Sequence, residues 1–86
     1  MLQPFAFSKR RSKLEIYIEV LKIIDHGISR PTRIMYAANI SWNLLNDILN
    51  SLEKKGLIER KTIRGHSLFF LTNKGREMLK TIENIF

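Results

Sequence analysis

The chain has 86 residues, 44% hydrophobic and 27% charged, enough for one small domain with a single core and too apolar for a disordered polyelectrolyte. It contains no cysteine, which excludes disulfides, thiolate metal sites and thiol nucleophiles, and its longest unbroken apolar run, IMYAA, is far too short to span a membrane. The net charge of +7 is concentrated: Lys9, Arg10, Arg11 and Lys13 stand together without an acid, and Lys54, Lys55, Arg60, Lys61 and Arg64 are offset only by Glu59, an arrangement suited to a polyanion.

The opening MLQPFAFSKRR places apolar residues ahead of the charges, the reverse of a signal peptide, so a cytoplasmic location is expected. Ser12 and Glu15 form an S-x-x-E capping box that starts a first helix. Leu14, Tyr17, Ile18, Leu21 and Ile24 recur at helical spacing on one face, and Ile16, Val20 and Ile23 form a second stripe. A helix apolar on two sides needs two neighbours. It should end at His26, with Gly27 as a left-handed stop. Glu15, Glu19 and Asp25 are assigned to its exposed face.

Ile28–Arg30 is a candidate stub of strand. Pro31 suits a first helical turn, which predicts a short helix from Pro31 to Ala38, and Asn39 tolerates the left-handed conformation that ends it. Ile40 points inward, Ser41 is an N-cap, and a third helix runs from Trp42 to Lys55, closed by Gly56. Small Ala37 and Ala38 allow close crossing, so these pieces form a helix-turn-helix whose later helix can lie in a major groove.

Beyond Gly56 the apolar period falls from 3.6 to 2. LIERKTI and SLFFL, joined by RGH, predict a hairpin of about Leu57–Ile63 and Ser67–Leu71. Its second strand is apolar on both faces, Phe69 and Leu71 on one, Leu68 and Phe70 on the other, and Leu2, Phe5 and Phe7 or a final helix could cover the second. Thr72 caps that helix, on which Met78, Leu79, Ile82, Ile85 and Phe86 share a face. The fold class expected is α+β: a winged helix-turn-helix with a three-helix core, a two-stranded β-hairpin wing and a C-terminal closing helix over 12–86, preceded by a basic N-terminal arm over 1–11.

Particular segments carry a family likeness. LEKKGLIERK resembles the junction of recognition helix and wing in winged-helix regulators, and FFLTNKG resembles the end of their wing and the start of their closing helix. PTRIMYAANISWNLLNDIL is similar to the helix-turn-helix of a small archaeal subgroup that includes ten-kilodalton basic DNA-binding proteins. The resemblance spans about 12–80 and implies double-stranded DNA binding by a homodimer joined through the closing helix. It also implies groove contacts from Trp42 to Asn50 and wing contacts from Arg60 to His66.

The third helix raises a chemical question of its own. Asparagine is a poor interior helix former, because its side chain competes for backbone groups, yet Asn43, Asn46 and Asn50 interrupt SWNLLNDILN. With Leu45, Ile48, Leu49 and Leu52 inward, the three amides and Trp42 share the opposite face, and an asparagine can bond bidentately to adenine in the major groove. Ser41, Trp42, Asn43, Asn46 and Asn50 are therefore the candidate reading residues. Arg30, Arg33, Arg60, Lys61, Arg64 and His66 are candidates for backbone and wing contacts, and Lys9, Arg10 and Arg11 for an arm. A homodimer is expected through Ile16, Val20 and Ile23 of the first helix and Met78, Leu79, Ile82, Ile85 and Phe86 of the last.

No Ser/His/Asp set, phosphate loop or metal-ligand spacing is present, so no enzyme, cofactor, metal or small-molecule ligand is implied. The expected function is sequence-specific DNA binding by a nucleoid-associated transcription regulator. Sequence-neutral DNA packaging and a protein-contact module are the alternatives.

Overall fold

The computed structural model describes residues 11–85; the expected roles of Leu2, Phe5, Phe7, Lys9, Arg10 and Phe86 lie outside them. Its elements run α1 (Lys13–Asp25), α2 (Pro31–Ala38), α3 (Trp42–Lys54), β1 (Ile58–Ile63), β2 (His66–Leu71) and α4 (Asn73–Ile85). Three helices, an antiparallel hairpin and a closing helix make the α+β winged helix-turn-helix expected.

The boundaries follow from capping chemistry. At α1 the Ser12 hydroxyl accepts from the Glu15 N–H at 3.1 Å while Glu15 accepts from the Ser12 N–H at 3.1 Å, a complete capping box. Helices α1, α2 and α3 end alike. A left-handed residue (Gly27, Asn39, Gly56) and the apolar residue after it (Ile28, Ile40, Leu57) both donate back into the last turn. Asn39 is there at φ 55° and ψ 53°, a conformation its short side chain tolerates. Only three residues, Asn39, Ile40 and Ser41, separate α2 from Trp42.

The hairpin pairs Ile58 with Leu71 through Ile63 with His66. Arg64 and Gly65 form a two-residue turn, both with positive φ. Ile28–Arg30 is not a strand. One main-chain bond, from the Phe69 N–H to the Ser29 carbonyl at 2.9 Å, ties that segment to β2.

The core joins Ile18, Val20, Leu21, Ile23 and Ile24 of α1 to Ile34 and Ala38 of α2 and to Leu45, Ile48, Leu49 and Leu52 of α3. Leu57, Ile58, Phe69, Leu71 and Leu79 complete it. Helix α1 packs against α2, β2 and α4, so both its apolar stripes, Leu14 apart, face the rest of the chain. This corrects the expected partner surface: Val20 and Ile23 are 0% exposed and Leu79 2%, out of reach of a second molecule, while Ile16 and Ile82 are half-buried against the core. Leu14, expected inward, is exposed at the open end of α1.

Two charged residues also depart from expectation. Glu19, assigned to a solvated face, is wholly buried, and its carboxylate is paired with the Arg11 guanidinium. Arg11, assigned to a DNA-binding arm, instead also donates to the carbonyls of Ala38 at 2.6 Å and Asn39 at 3.0 Å. The cause is geometric: α1 is surrounded, so an acid on its inner side requires a cation, and the chain entering α1 passes the end of α2.

Helix α4 is held by a close backbone approach. The Thr72 hydroxyl donates to the Gly56 carbonyl at 2.6 Å and accepts from the Gly75 N–H at 3.0 Å, while the Thr72 N–H donates to the Leu57 carbonyl at 3.1 Å. A Cβ on Gly75 would stand 2.1 Å from that same Leu57 oxygen. Alanine ordinarily stabilises a helix relative to glycine by about 1 kcal/mol. Here Gly75→Ala should reverse the sign and destabilise by roughly 1–3 kcal/mol, because main chain must move. Urea denaturation of the variant checks this, and a gain in stability would show that the approach is not tight.

Candidate functional site

Helix α3 begins where Ser41 accepts from the Leu44 N–H at 3.2 Å. Leu45, Ile48, Leu49 and Leu52 are 0–2% exposed. Burying each contributes roughly 1.5–3 kcal/mol, so the four together hold the helix's rotation far more firmly than any polar group on it. Asn43, Asn46, Asp47 and Asn50 are consequently exposed, and Trp42 is 46% exposed at the helix start.

The wing comes close to this face. Arg30, Pro31, Thr32, Trp42, Gly65, His66 and Ser67 line an open groove of about 420 Å³ between the starts of α2 and α3 and the wing tip. Beside it a smaller hollow of about 150 Å³ is lined by residues that include Trp42, Asn46, Arg60, Ser67 and Phe69. Helix α2 has Arg30 at its N-cap position, without a side-chain hydrogen bond, and Pro31 in its first turn. The Arg30 side chain therefore does not cap the N-terminus of α2, an end that favours anions.

Hairpin register separates the wing's cations. Arg60 is opposite Phe69 and Lys61 opposite Leu68, so they project from opposite faces. Arg60 lies 5.1 Å from the Phe69 ring centroid and pairs with Glu53 of α3 at 3.1 Å. It fastens the wing to α3. Lys61, on the other face, lies 5.3 Å from the Phe70 ring and 3.6 Å from Glu59. At the tip Arg64 is exposed with φ 52°, a position of the turn where asparagine or aspartate is usual. An arginine forced left-handed costs on the order of 1–2 kcal/mol, and the cationic side chain is thereby held outward at the tip.

Of the residues singled out in the sequence, Arg30, Trp42, Asn46, Arg60 and His66 are brought together around these two hollows. Ser41, Asn43 and Asn50 are exposed on the same helix or its cap; Arg33 is exposed on α2 without lining either hollow. Thr32 and Ser67 were missed. Ser67 was within reach of sequence reasoning, since the period of two places it on the face of β2 that carries Phe69 and Leu71. No group of His, Asp or Glu suited to a metal ion occurs among the described residues.

Residues 10–86 match a family model described as winged helix-turn-helix. A protein of Methanocaldococcus jannaschii is 32% identical over 77 residues, covering 90% of this chain and 75% of that one. An uncharacterized HTH-type transcriptional regulator of the same organism is 36% identical over 73 residues, covering 79% of this chain and 65% of its own length. Among solved structures, Sso10a-2, a DNA-binding protein from Sulfolobus solfataricus, has a TM-score of 0.77 at 26% identity, covering 87% of this chain and 78% of that chain. The chain spans only part of some relatives, 36% of another M. jannaschii protein and 50% of a Listeria innocua chain.

If the α3 amides serve a ligand and not the fold, deleting them should strengthen the isolated protein. Asn46→Ala and Asn50→Ala should each raise stability by about 0.5 kcal/mol through helix propensity. Thermal and urea unfolding of the double variant measure this. A clear loss would assign the amides a structural role.

Proposed function

The chain belongs to the winged helix-turn-helix family, and from that premise we propose that it binds double-stranded DNA in a sequence-specific manner and regulates transcription. The observation that carries the proposal is the exposed amide side of α3 standing beside a groove bounded by Arg30 and the wing tip. Support also comes from relatives described as a DNA-binding protein and as an HTH-type transcriptional regulator. The role is one of recognition rather than catalysis.

In this reading α3 enters the major groove. Asn43, Asn46 and Asn50 accept from and donate to adenine edges, and the absence of arginine from α3 makes guanine reading secondary. Asp47 either accepts from a cytosine amine or faces away from phosphate. Ser41 and Trp42 flank the reading face where α3 begins. Arg30, Arg33 and the open end of α2 meet the backbone, and Arg64 and His66 meet the backbone or minor groove beyond it. Arg60 acts on DNA through the wing it anchors, and Lys61 adds charge on the wing's far face. A protein engaged in this way resides on the nucleoid, and none of the described helices is long and apolar enough to cross a membrane.

The partner surface proposed for a homodimer is narrower than the sequence suggested. Leu14 is 65%, Met78 41% and Ile85 71% exposed on α1 and α4, apolar area that a second copy would cover. Two recognition helices about 34 Å apart would then read a palindrome one helical turn in period. Sedimentation should show twice the chain mass, falling to one in Ile85→Glu; an unaltered monomer in both proteins would remove the dimer.

Titration against duplexes selected from a random pool, and against scrambled duplexes, at two salt concentrations tests the DNA reading. Asn46→Ala should cost roughly 1–3 kcal/mol on the selected duplex and little on the scrambled one. Arg64→Ala should weaken both alike and lower the salt slope by about one. Equal affinity for every sequence would favour packaging, and affinity that is negligible and indifferent to salt would favour a protein-contact module.

A further inference from the structure

We infer that Arg11 and Glu19 form a clamp that positions the turn between α2 and α3, and thereby the direction in which α3 presents its amides. The clamp itself follows from the geometry below; its consequence for base reading rests on the function proposed above.

The Glu19 side chain is 0% exposed and that of Arg11 11%. Nη1 of Arg11 donates to Glu19 and to the Ala38 carbonyl, and Nη2 donates to the Asn39 carbonyl. These two oxygens belong to the end of α2 and to the left-handed residue of the turn. The end of α2 has other carbonyls at Met35 and Tyr36, and those are already taken by the N–H groups of Ile40 and Asn39. The guanidinium therefore supplies donors that the helix's own reversal does not, and places a cation at the negative end of α2. Three pieces are joined at one point: the chain entering α1, the middle of α1, and the turn two residues before Ser41.

Stability alone is a weak reason for such a pair, since well-packed apolar residues often serve a buried site equally well. Apolar residues cannot donate to two carbonyls of a turn. What the pair contributes distinctively is the location of Ala38 and Asn39 relative to α1, and with it the tilt of the helix that follows. Arg11 is a positioning residue in this role, acting on a ligand only through α3.

The test uses the full chain carrying Arg11→Met with Glu19→Leu, which removes both charges and keeps the bulk, and separately Arg11→Lys, which keeps a cation beside Glu19 but lacks the fork. Amide hydrogen exchange followed by NMR is the readout. Ile40, Leu44 and Leu45, whose N–H groups are bonded around the turn, should exchange about tenfold faster in the double variant while amides in β1 and α4 keep their parental rates. Arg11→Lys should show the same local pattern at smaller amplitude, and it decides the matter if the double variant does not fold. Unchanged exchange at those three amides, or acceleration shared equally by β1 and α4, overturns the clamp. On DNA, the double variant's preference for the selected duplex over a scrambled one should fall by about tenfold, with affinity for the scrambled duplex retained. A parent protein without any preferred duplex would overturn the DNA-reading proposal, and the exchange pattern would still decide the clamp.

Discussion

Everything on the outer surface of α3 is set by what its inner surface is made to do. Leu45, Ile48, Leu49 and Leu52 lie in a core shared with α1, α2 and the strands, and their burial is worth on the order of 6–12 kcal/mol in total. A rotation that brought any of the three asparagines inward would expose part of that area and bury an amide as well. The apolar stripe thus fixes the helix's rotation, and the amides point outward although they weaken the helix they sit on. Their cost in propensity, about half a kilocalorie each, is small beside the term that orients them.

Orientation about its own axis does not by itself make α3 part of a surface. Its start is set by the Asn39 reversal and the Ser41 cap, and the carbonyls of that reversal are held by a guanidinium whose charge is balanced by a buried carboxylate. Its far side is set by the wing, through the Arg60–Glu53 pair and the stacking of Arg60 on Phe69. The main-chain bond between Phe69 and Ser29 ties the wing to the segment that leads into α2. Through these links the ends of α2 and α3 and the hairpin tip enclose one groove, although they are distant in sequence.

The helices, their stops and the hairpin were all legible beforehand, because each rests on local chemistry: a capping box, a proline in a first turn, residues able to turn left-handed, and a change of period at Gly56. The asparagine face followed for the same reason. Cross-chain pairing was not legible. Glu19 looks like any polar position on an amphipathic helix until it is known that α1 is enclosed by α2, β2 and α4, and Arg11 looks like one of a run of solvated cations. The same enclosure consumed Val20 and Ile23, which a two-sided apolar helix otherwise offers to a partner. Arg60 and Lys61, adjacent and alike in charge, were separated only by the strand's alternation, which sent one to α3 and the other to the opposite face.

Side-chain NMR of labelled protein titrated with a short random-sequence duplex, at salt low enough for binding, probes the orientation of the functional face most directly. The Asn43, Asn46 and Asn50 amide groups, the Trp42 indole N–H and the backbone of residues 64–67 should shift together, with α1 and α4 unmoved. Shifts concentrated on α1 and α4 with the three amides silent would mean that this face of α3 does not meet DNA.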